Sequence, residues 1–323
     1  MTTSLFALSR RSLLVSTFAA GLVSACGGAG GGDGPRVRIG YQKNGVLLLA
    51  KRSGRLEEAL SAAPAASVSW LEFSAGPPLL EAMGVGSLDL GSTGDAPPIF
   101  AQAGGAPLMY VGAVPLSGAA GGVLVPATST AQSVADLRGK RFCFTRASSA
   151  HNSAAIILEQ AGLTLDDVEQ VHLAPADGAA AFAQGGIDAW VIWDPYFTSA
   201  IKNQGARVLG ASGLPPSAAY ILAHRDFVEQ SPELLHRTLD GLAAEGRWAS
   251  ANRAEVAALM AQETGLPLDL LNDTVQRDDF QVEPMSAERI AAQQTTADRF
   301  LQLGLVPAAV NVADAAYTGW TPA

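Results

Sequence analysis

The chain has 323 residues, 48% of them hydrophobic and 16% charged, with 21 basic against 30 acidic side chains and a net charge of −9. That length accommodates two packed lobes, and the acidity argues against nucleic acid or an anionic membrane surface as a partner. Its two cysteines, Cys26 and Cys143, provide no disulfide framework, and beyond the N-terminal segment no apolar run is long enough for a transmembrane helix.

Residues 1–25 read as a signal peptide. Arg10 and Arg11 form a twin-arginine n-region, and Leu13 to Ala25 are apolar or small over a stretch too short to span a bilayer comfortably. Val23-Ser24-Ala25-Cys26 resembles a bacterial lipobox, which implies cleavage before Cys26 and a diacylglycerol thioether on it. Residues 26–34 then supply the lipidated cysteine and a glycine-rich tether. Ser-Arg-Arg-Ser-Leu-Leu matches a twin-arginine export signal only in part, so ordinary secretion stays open as the route. Loss of residues 1–25 removes two arginines and no acid, leaving 19 basic against 30 acidic residues and a net charge of −11.

From Val37 the pattern alternates between strand and helix. Val37 to Tyr41 predicts a strand, Leu47 to Leu60 a helix, Val68 to Phe73 a strand, Pro77 to Gly84 a helix and Leu88 to Gly91 a short strand. Pro97 to Gly104 predicts a helix and Leu108 to Val114 a strand. The alternation then repeats: strands over Gly122 to Val125, Arg141 to Phe144, Val168 to Leu173 and Ala189 to Ile192, with a helical turn at Val134 to Leu137 and helices at Ser148 to Gly162 and Asp177 to Gln184. Past Pro232, apolar spacings of three and four residues predict helices over Glu233 to Ala251, Arg253 to Thr264 and Ala287 to Leu303. Two βα series imply an α/β fold with two mainly parallel sheets covered by helices on both faces.

Ligands of open α/β sheets sit beyond the carboxyl ends of the strands. Four loops fall there: Gln42-Lys43-Asn44-Gly45, Ser92-Thr93-Gly94-Asp95, Ser148 to Asn152, and Trp193-Asp194-Pro195-Tyr196. The third joins a strand to a helix N-terminus, where unpaired N–H groups and the positive end of the helix dipole attract anions. Ser148, Ser149, His151 and Asn152 add side-chain donors. Cys143 sits inside an apolar strand and reads as an inert core residue.

Several segments in the same order resemble the aliphatic sulfonate-binding proteins, substrate-binding components of ABC importers of the nitrate/sulfonate/taurine group. They include Arg38-Ile39-Gly40-Tyr41-Gln42-Lys43, Trp70 to Pro77, Gly86 to Ala103, Ser148-Ser149-Ala150-His151-Asn152, Leu173 to Asp177, and Asp188 to Tyr196. The resemblance implies a type II periplasmic-binding-protein fold. Two lobes would be joined by two strands, near Pro107 to Leu116 and Ala218 to Arg225, with lobe I at 35–112 and 222–323 and lobe II at 113–221. It also implies a lipid-anchored, extracytoplasmic or periplasmic monomer. That monomer captures an alkyl sulfonate and docks on a cognate ABC permease and its ATPase, without a cofactor, metal or nucleic acid.

The implied ligand-binding set is Gln42, Thr93, Gly94, Asp95, Ser148, Ser149, His151, Asn152, Trp193, Asp194 and Tyr220, with Cys26 as the lipidation site. Asp95 and Asp194 suit capping or the holding of a donor better than direct contact with an anion. Tyr41, Trp193, Tyr196 and Tyr220 are aromatic candidates for covering an organic tail. The resemblance departs at Ala147, which stands where glycine is expected and accepts positive φ less readily. Taurine, nitrate and a thiamine-pyrimidine precursor remain alternative ligands on this fold. A desulfinase-like enzyme is disfavoured because the first cleft loop has no cysteine. The four histidines, at 151, 172, 224 and 236, show no metal-ligand spacing.

Overall fold

The computed structural model describes residues 34–62, 65–116, 120–209, 214 and 217–323. The expected signal peptide, Cys26 and the tether up to residue 33 lie outside the described residues.

The first sheet grows from β1 (Arg36–Tyr41), α1 (Gly45–Ser53), α2 (Arg55–Leu60), β2 (Ser67–Glu72), α3 (Gly76–Gly84), β3 (Leu90–Thr93), α4 (Ala96–Ala103) and β4 (Leu108–Leu116). The chain then builds β5 (Gly121–Val125), β6 (Arg141–Phe144), α5 (Ser149–Gln160), β7 (Glu169–His172), α6 (Pro175–Ala183), β8 (Ala189–Trp193), α7 (Tyr196–Gln204) and β9 (Arg207–Val208). It returns through β10 (Ser217–His224) and ends in α8 (Arg225–Gln230), α9 (Pro232–Ala251), α10 (Arg253–Thr264), α11 (Leu268–Val275) and α12 (Ala287–Gln302).

The two five-stranded sheets run β2-β1-β3-β10-β4 and β7-β6-β8-β5-β9. β1, β2 and β3 are parallel, as are β6, β7 and β8. The expected mainly parallel sheets are nonetheless mixed. β10 runs antiparallel to β3 and β4, and β5 runs antiparallel to β8 and β9. The cause is the crossing: a strand arriving from the other lobe enters its new sheet from the opposite end. Each sheet is covered on both faces. α1, α2, α9, α10 and α11 pack one side of the first sheet, while α3, α4 and α12 pack the other. α5 covers one side of the second sheet, and α6 and α7 the other.

The helix expected over Leu47 to Leu60 is two helices, because Gly54 adopts φ 70° and ends α1. α7, α8, α11 and β9 are additional to the expected elements. The two lobes repeat one local device. Arg38 Nε and Nη2 grip Asp89 at 3.0 and 2.5 Å, and the Arg38 N–H donates to the same carboxylate at 2.7 Å. Arg141 grips Asp188 in the same way, with 3.1, 2.8 and 2.9 Å. Each pair ties the first of the three parallel strands of its sheet to the turn before the third, which fixes where the loops at the carboxyl ends emerge.

Candidate functional site

The cleft lies between the loops at the carboxyl ends of both sheets and encloses about 440 Å³, the scale of a small-molecule site. Its walls come from helix N-termini as much as from side chains. Gly45, Val46 and Leu47 open α1, Gly76 opens α3, Asp95 caps α4, and Ser148 and Ser149 open α5; all line the cleft. At α1 the N-cap residue Asn44 makes no side-chain cap bond, so the first N–H groups of that helix keep their hydrogen-bonding capacity. Gly45 holds φ 72° there, a conformation that suits glycine. α3 begins after Ala75, which has no capping side chain, and α3 runs Gly76-Pro77-Pro78, so Gly76 is its one N–H among the first three residues.

Of the expected binding set, Gln42, Thr93, Gly94, Asp95, Ser148, Ser149, Asn152, Trp193, Asp194 and Tyr220 line this cleft. Gln42 Nε2 donates to the Ser92 carbonyl at 3.0 Å and so ties two of the loops together. The Ser148 hydroxyl donates to the Thr145 carbonyl at 2.7 Å and accepts from the Ala150 N–H at 3.2 Å. Its single proton is therefore spent, and Ser148 serves the cleft as the cap of α5 rather than as a hydroxyl donor. Ser149 faces the other lobe: a Cβ built on Gly94 would stand 1.8 Å from its Oγ and 3.0 Å from its Cβ.

His151 is the correction. It does not line the cleft but lies 3% exposed on the core-facing side of α5, stacked on Phe144 with ring centroids 4.9 Å apart and on Phe100 at 6.0 Å. Helical periodicity is the reason: residues 149 and 152 face the cleft, so residue 151 turns to the core. Its Nδ1 accepts the Ala147 N–H at 3.2 Å. Burial, with lesser contributions from His172 and Arg146, pushes its pKa down to about 4. His151 is thus a neutral brace for the turn. That turn keeps a left-handed residue despite the missing glycine, since Ala147 has φ 59°.

Both aspartates are engaged. Asp95 accepts the Ala96 N–H at 2.9 Å and Asn152 Nδ2 from the other lobe at 2.6 Å, and its carbonyl accepts Gln293 Nε2 at 2.6 Å. Burial raises its pKa against the pull of those donors. Asp194 accepts the Thr198 N–H at 2.9 Å and pairs with Arg277 Nη2 at 2.6 Å. Tyr220 sends its hydroxyl to the Arg289 carbonyl at 3.4 Å, and burial followed by the Asp95 charge keeps that hydroxyl protonated. Tyr41 is away from the cleft, bonded to Lys51 and Glu72. Tyr196 and Trp193 line a neighbouring recess of about 200 Å³ with Lys43, Glu72 and Phe73. Arg146 is exposed, and Lys43 pairs with Glu72 at 3.5 Å. Cys143 is buried in β6, with burial pushing its thiol up to about 11, the opposite of an activated nucleophile.

Sequence reasoning missed Gly76, Thr295, Thr296, Arg289 and Asp278, which also line the cleft. The last four sit on or before α12, some 200 residues after the β3 loop they face. Helical spacing marked α12 as a helix but carried no signal for that long-range approach.

A family model described as NMT1/THI5 like matches residues 78–255. An aliphatic sulfonates-binding protein of Escherichia coli (strain K12) is 42% identical over 279 residues, covering 85% of this chain and 86% of the relative. The chain belongs to the aliphatic sulfonate-binding protein family. A Bacillus subtilis (strain 168) protein described in the same words is 30% identical over 94% of each chain. The alkanesulfonate-binding protein SsuA of Xanthomonas axonopodis pv. citri, solved bound to MOPS, superposes with a TM-score of 0.83 at 41% identity, covering 87% of this chain and 98% of that one. The fold is that of the periplasmic binding proteins, and these relatives are binding proteins, so the chain is a binder and not an enzyme.

Proposed function

We propose that the protein is an extracytoplasmic solute-binding lipoprotein that captures aliphatic sulfonates in the interlobe cleft and delivers them to an ABC permease. The observation that carries this reading is the convergence of helix N-termini on one cleft, with α1 left without a side-chain cap. A sulfonate is ionised throughout the physiological range and offers three equivalent acceptor oxygens. It is satisfied by converging neutral donors and helix dipoles, with no proton exchanged. The N–H groups of Gly45, Val46 and Gly76 supply donors of that kind, while the Ser149 hydroxyl is held by the Asp95 carboxylate. Trp193, Leu116, Val114 and Ile156 offer apolar surface to a tail. The family of the chain and the sulfonate named in the Xanthomonas structure support the same class of ligand.

In this reading the lobes are 35–112 with 222–323, and 113–221, hinged on the paired strands β4 and β10. The monomer is held at the membrane through Cys26 and docks on the permease with both outer rims. Among the described residues no helix is long and apolar enough to cross a membrane. A thermal-shift panel tests the ligand class, because a ligand specific to the folded state raises the melting temperature. Ethanesulfonate and longer alkyl sulfonates are expected to raise it, and nitrate and sulfate to leave it unchanged. A rise with nitrate or a thiamine-pyrimidine precursor alone would keep the fold and overturn the ligand.

A further inference from the structure

Asp278 follows α11 and bridges Leu116, at the end of β4, by backbone pairing. It is partly buried and lines the cleft. Among the described residues its carboxylate has neither a hydrogen-bond donor nor an ion-pair partner. The cations around it are committed elsewhere. Arg277 bonds Asp194 and Thr198, and Arg253, at the start of α10, donates to the backbone carbonyls of Val275 and Asp278. Asp194, from the β8–α7 turn, is the nearby negative charge, and Asp279 beside it caps the Gln281 N–H at 2.9 Å. On the α12 side, Glu283 is taken by Arg289 at 3.1 Å.

A carboxylate facing a ligand cleft without donors is costly to keep charged. Burial first, and the Asp194 charge second, push its pKa up to about 7 against the weaker pull of Arg277 and Arg253. A ligand that brought a cation to this position would supply both the donors and the missing charge. An alkyl tail would supply neither.

We propose that Asp278 receives the ammonium group of a ligand whose sulfonate lies at the helix N-termini, so that the cleft selects aminoalkanesulfonates over alkanesulfonates of the same length. This rests on the sulfonate reading above. Asp278 is then a specificity residue: the helix ends hold one end of a zwitterion and the carboxylate reads the other.

The test is calorimetric titration of the purified protein with 3-aminopropanesulfonate and with propanesulfonate, at pH 8.5 and pH 5.5, repeated with Asp278→Asn. The ligand's ammonium is protonated at both pH values, so a change in preference reports on the protein. The expected result at pH 8.5 is a preference of about tenfold for the amino ligand, the scale of one charge-assisted bond. The preference shrinks at pH 5.5, where Asp278 is protonated, and Asp278→Asn brings the two affinities together at both pH values. Should that variant fail to fold, the wild-type pH comparison decides alone. Equal binding of the two ligands by the wild type, or a preference that survives in Asp278→Asn, overturns the inference and leaves the sulfonate reading standing. No binding of either ligand overturns both.

Discussion

Ala147, His151 and Gly94 show how single residues set the cleft. Ala147 holds φ 59° with its N–H given to His151 Nδ1, so a buried ring substitutes for the glycine that this turn would otherwise want. The unfolded chain protonates histidine near 6.5, whereas the folded protein resists until about 4. The folded pKa is the lower one, so stability is lost as pH falls through this window, by on the order of 3 kcal/mol. The melting temperature of the wild type is expected to drop between pH 6.5 and pH 4, and the drop should be shallower in His151→Phe. Parallel slopes for the two proteins would remove His151 from the account. At Gly94 the limit is steric. A methyl group there meets Ser149 of the other lobe, and the 3.0 Å approach to its Cβ cannot be relieved by rotating the hydroxyl. Gly94→Ala should weaken ligand binding at least about tenfold while the ligand-free melting temperature stays within a few degrees. Calorimetry beside differential scanning checks both halves.

At the scale of elements, the Arg38–Asp89 and Arg141–Asp188 grips hold the parallel strands in register, and the strands in turn aim the loops. Asp89 is the more buried acid, 12% exposed against 36% for Asp188. Asp89→Asn is therefore expected to cost more stability than Asp188→Asn, on the order of 2 kcal/mol against less than about 1. Equal losses in urea denaturation would contradict that ranking. The repeat was visible in the sequence as Ser87-Leu88-Asp89 and Gly186-Ile187-Asp188 before their strands, yet its meaning needed the partner arginines. Most of the βα alternation was legible because apolar runs and glycine stops are local. α7 was not, because Asp194-Pro195 suggested a turn and hid a helix whose first residue follows it directly and whose end is Gly205 at φ 65°. α11 was missed because eight residues between Pro267 and Gln276 hold barely two turns of periodicity. The directions of β5 and β10 were illegible for a different reason: strand polarity depends on where the chain crosses, and no local pattern records that.

For the whole molecule, the cleft is closed by contacts that bridge the lobes. Asn152 reaches Asp95, Arg277 reaches Asp194, and Lys202 on α7 meets Asp273 on α11 at 2.5 Å. Arg299 on α12 pairs with Glu159 on α5. The exposed pairs, Lys202–Asp273 and Arg299–Glu159, contribute little individually, but in the proposed hinge motion they would act only in the closed form and so bias the balance between open and closed states. Arg299→Glu is expected to weaken ligand binding a few-fold and to raise the radius of gyration of the ligand-free protein in small-angle scattering. An unchanged radius and affinity would assign the pair to the surface alone. Arg277 differs, because its removal leaves Asp194 buried and unpaired, with a loss of several kcal/mol expected in stability as well as binding.

Nine of the cleft-lining residues were legible as loops at strand ends, whereas Tyr220 lies within β10. What position alone could not supply was which atoms act. The Ser148 hydroxyl is spent on its own turn, His151 faces the core, and the backbone at the start of α1 carries the free donors. The central claim is that an anionic headgroup sits on those helix ends. The most direct measurement is an amide-resolved NMR titration of the protein with propanesulfonate. Saturable shifts at the N–H groups of Gly45, Val46 and Ser149, and none with nitrate, are the predicted result. Binding that leaves those three amides unmoved, or no binding of the sulfonate at all, would contradict it.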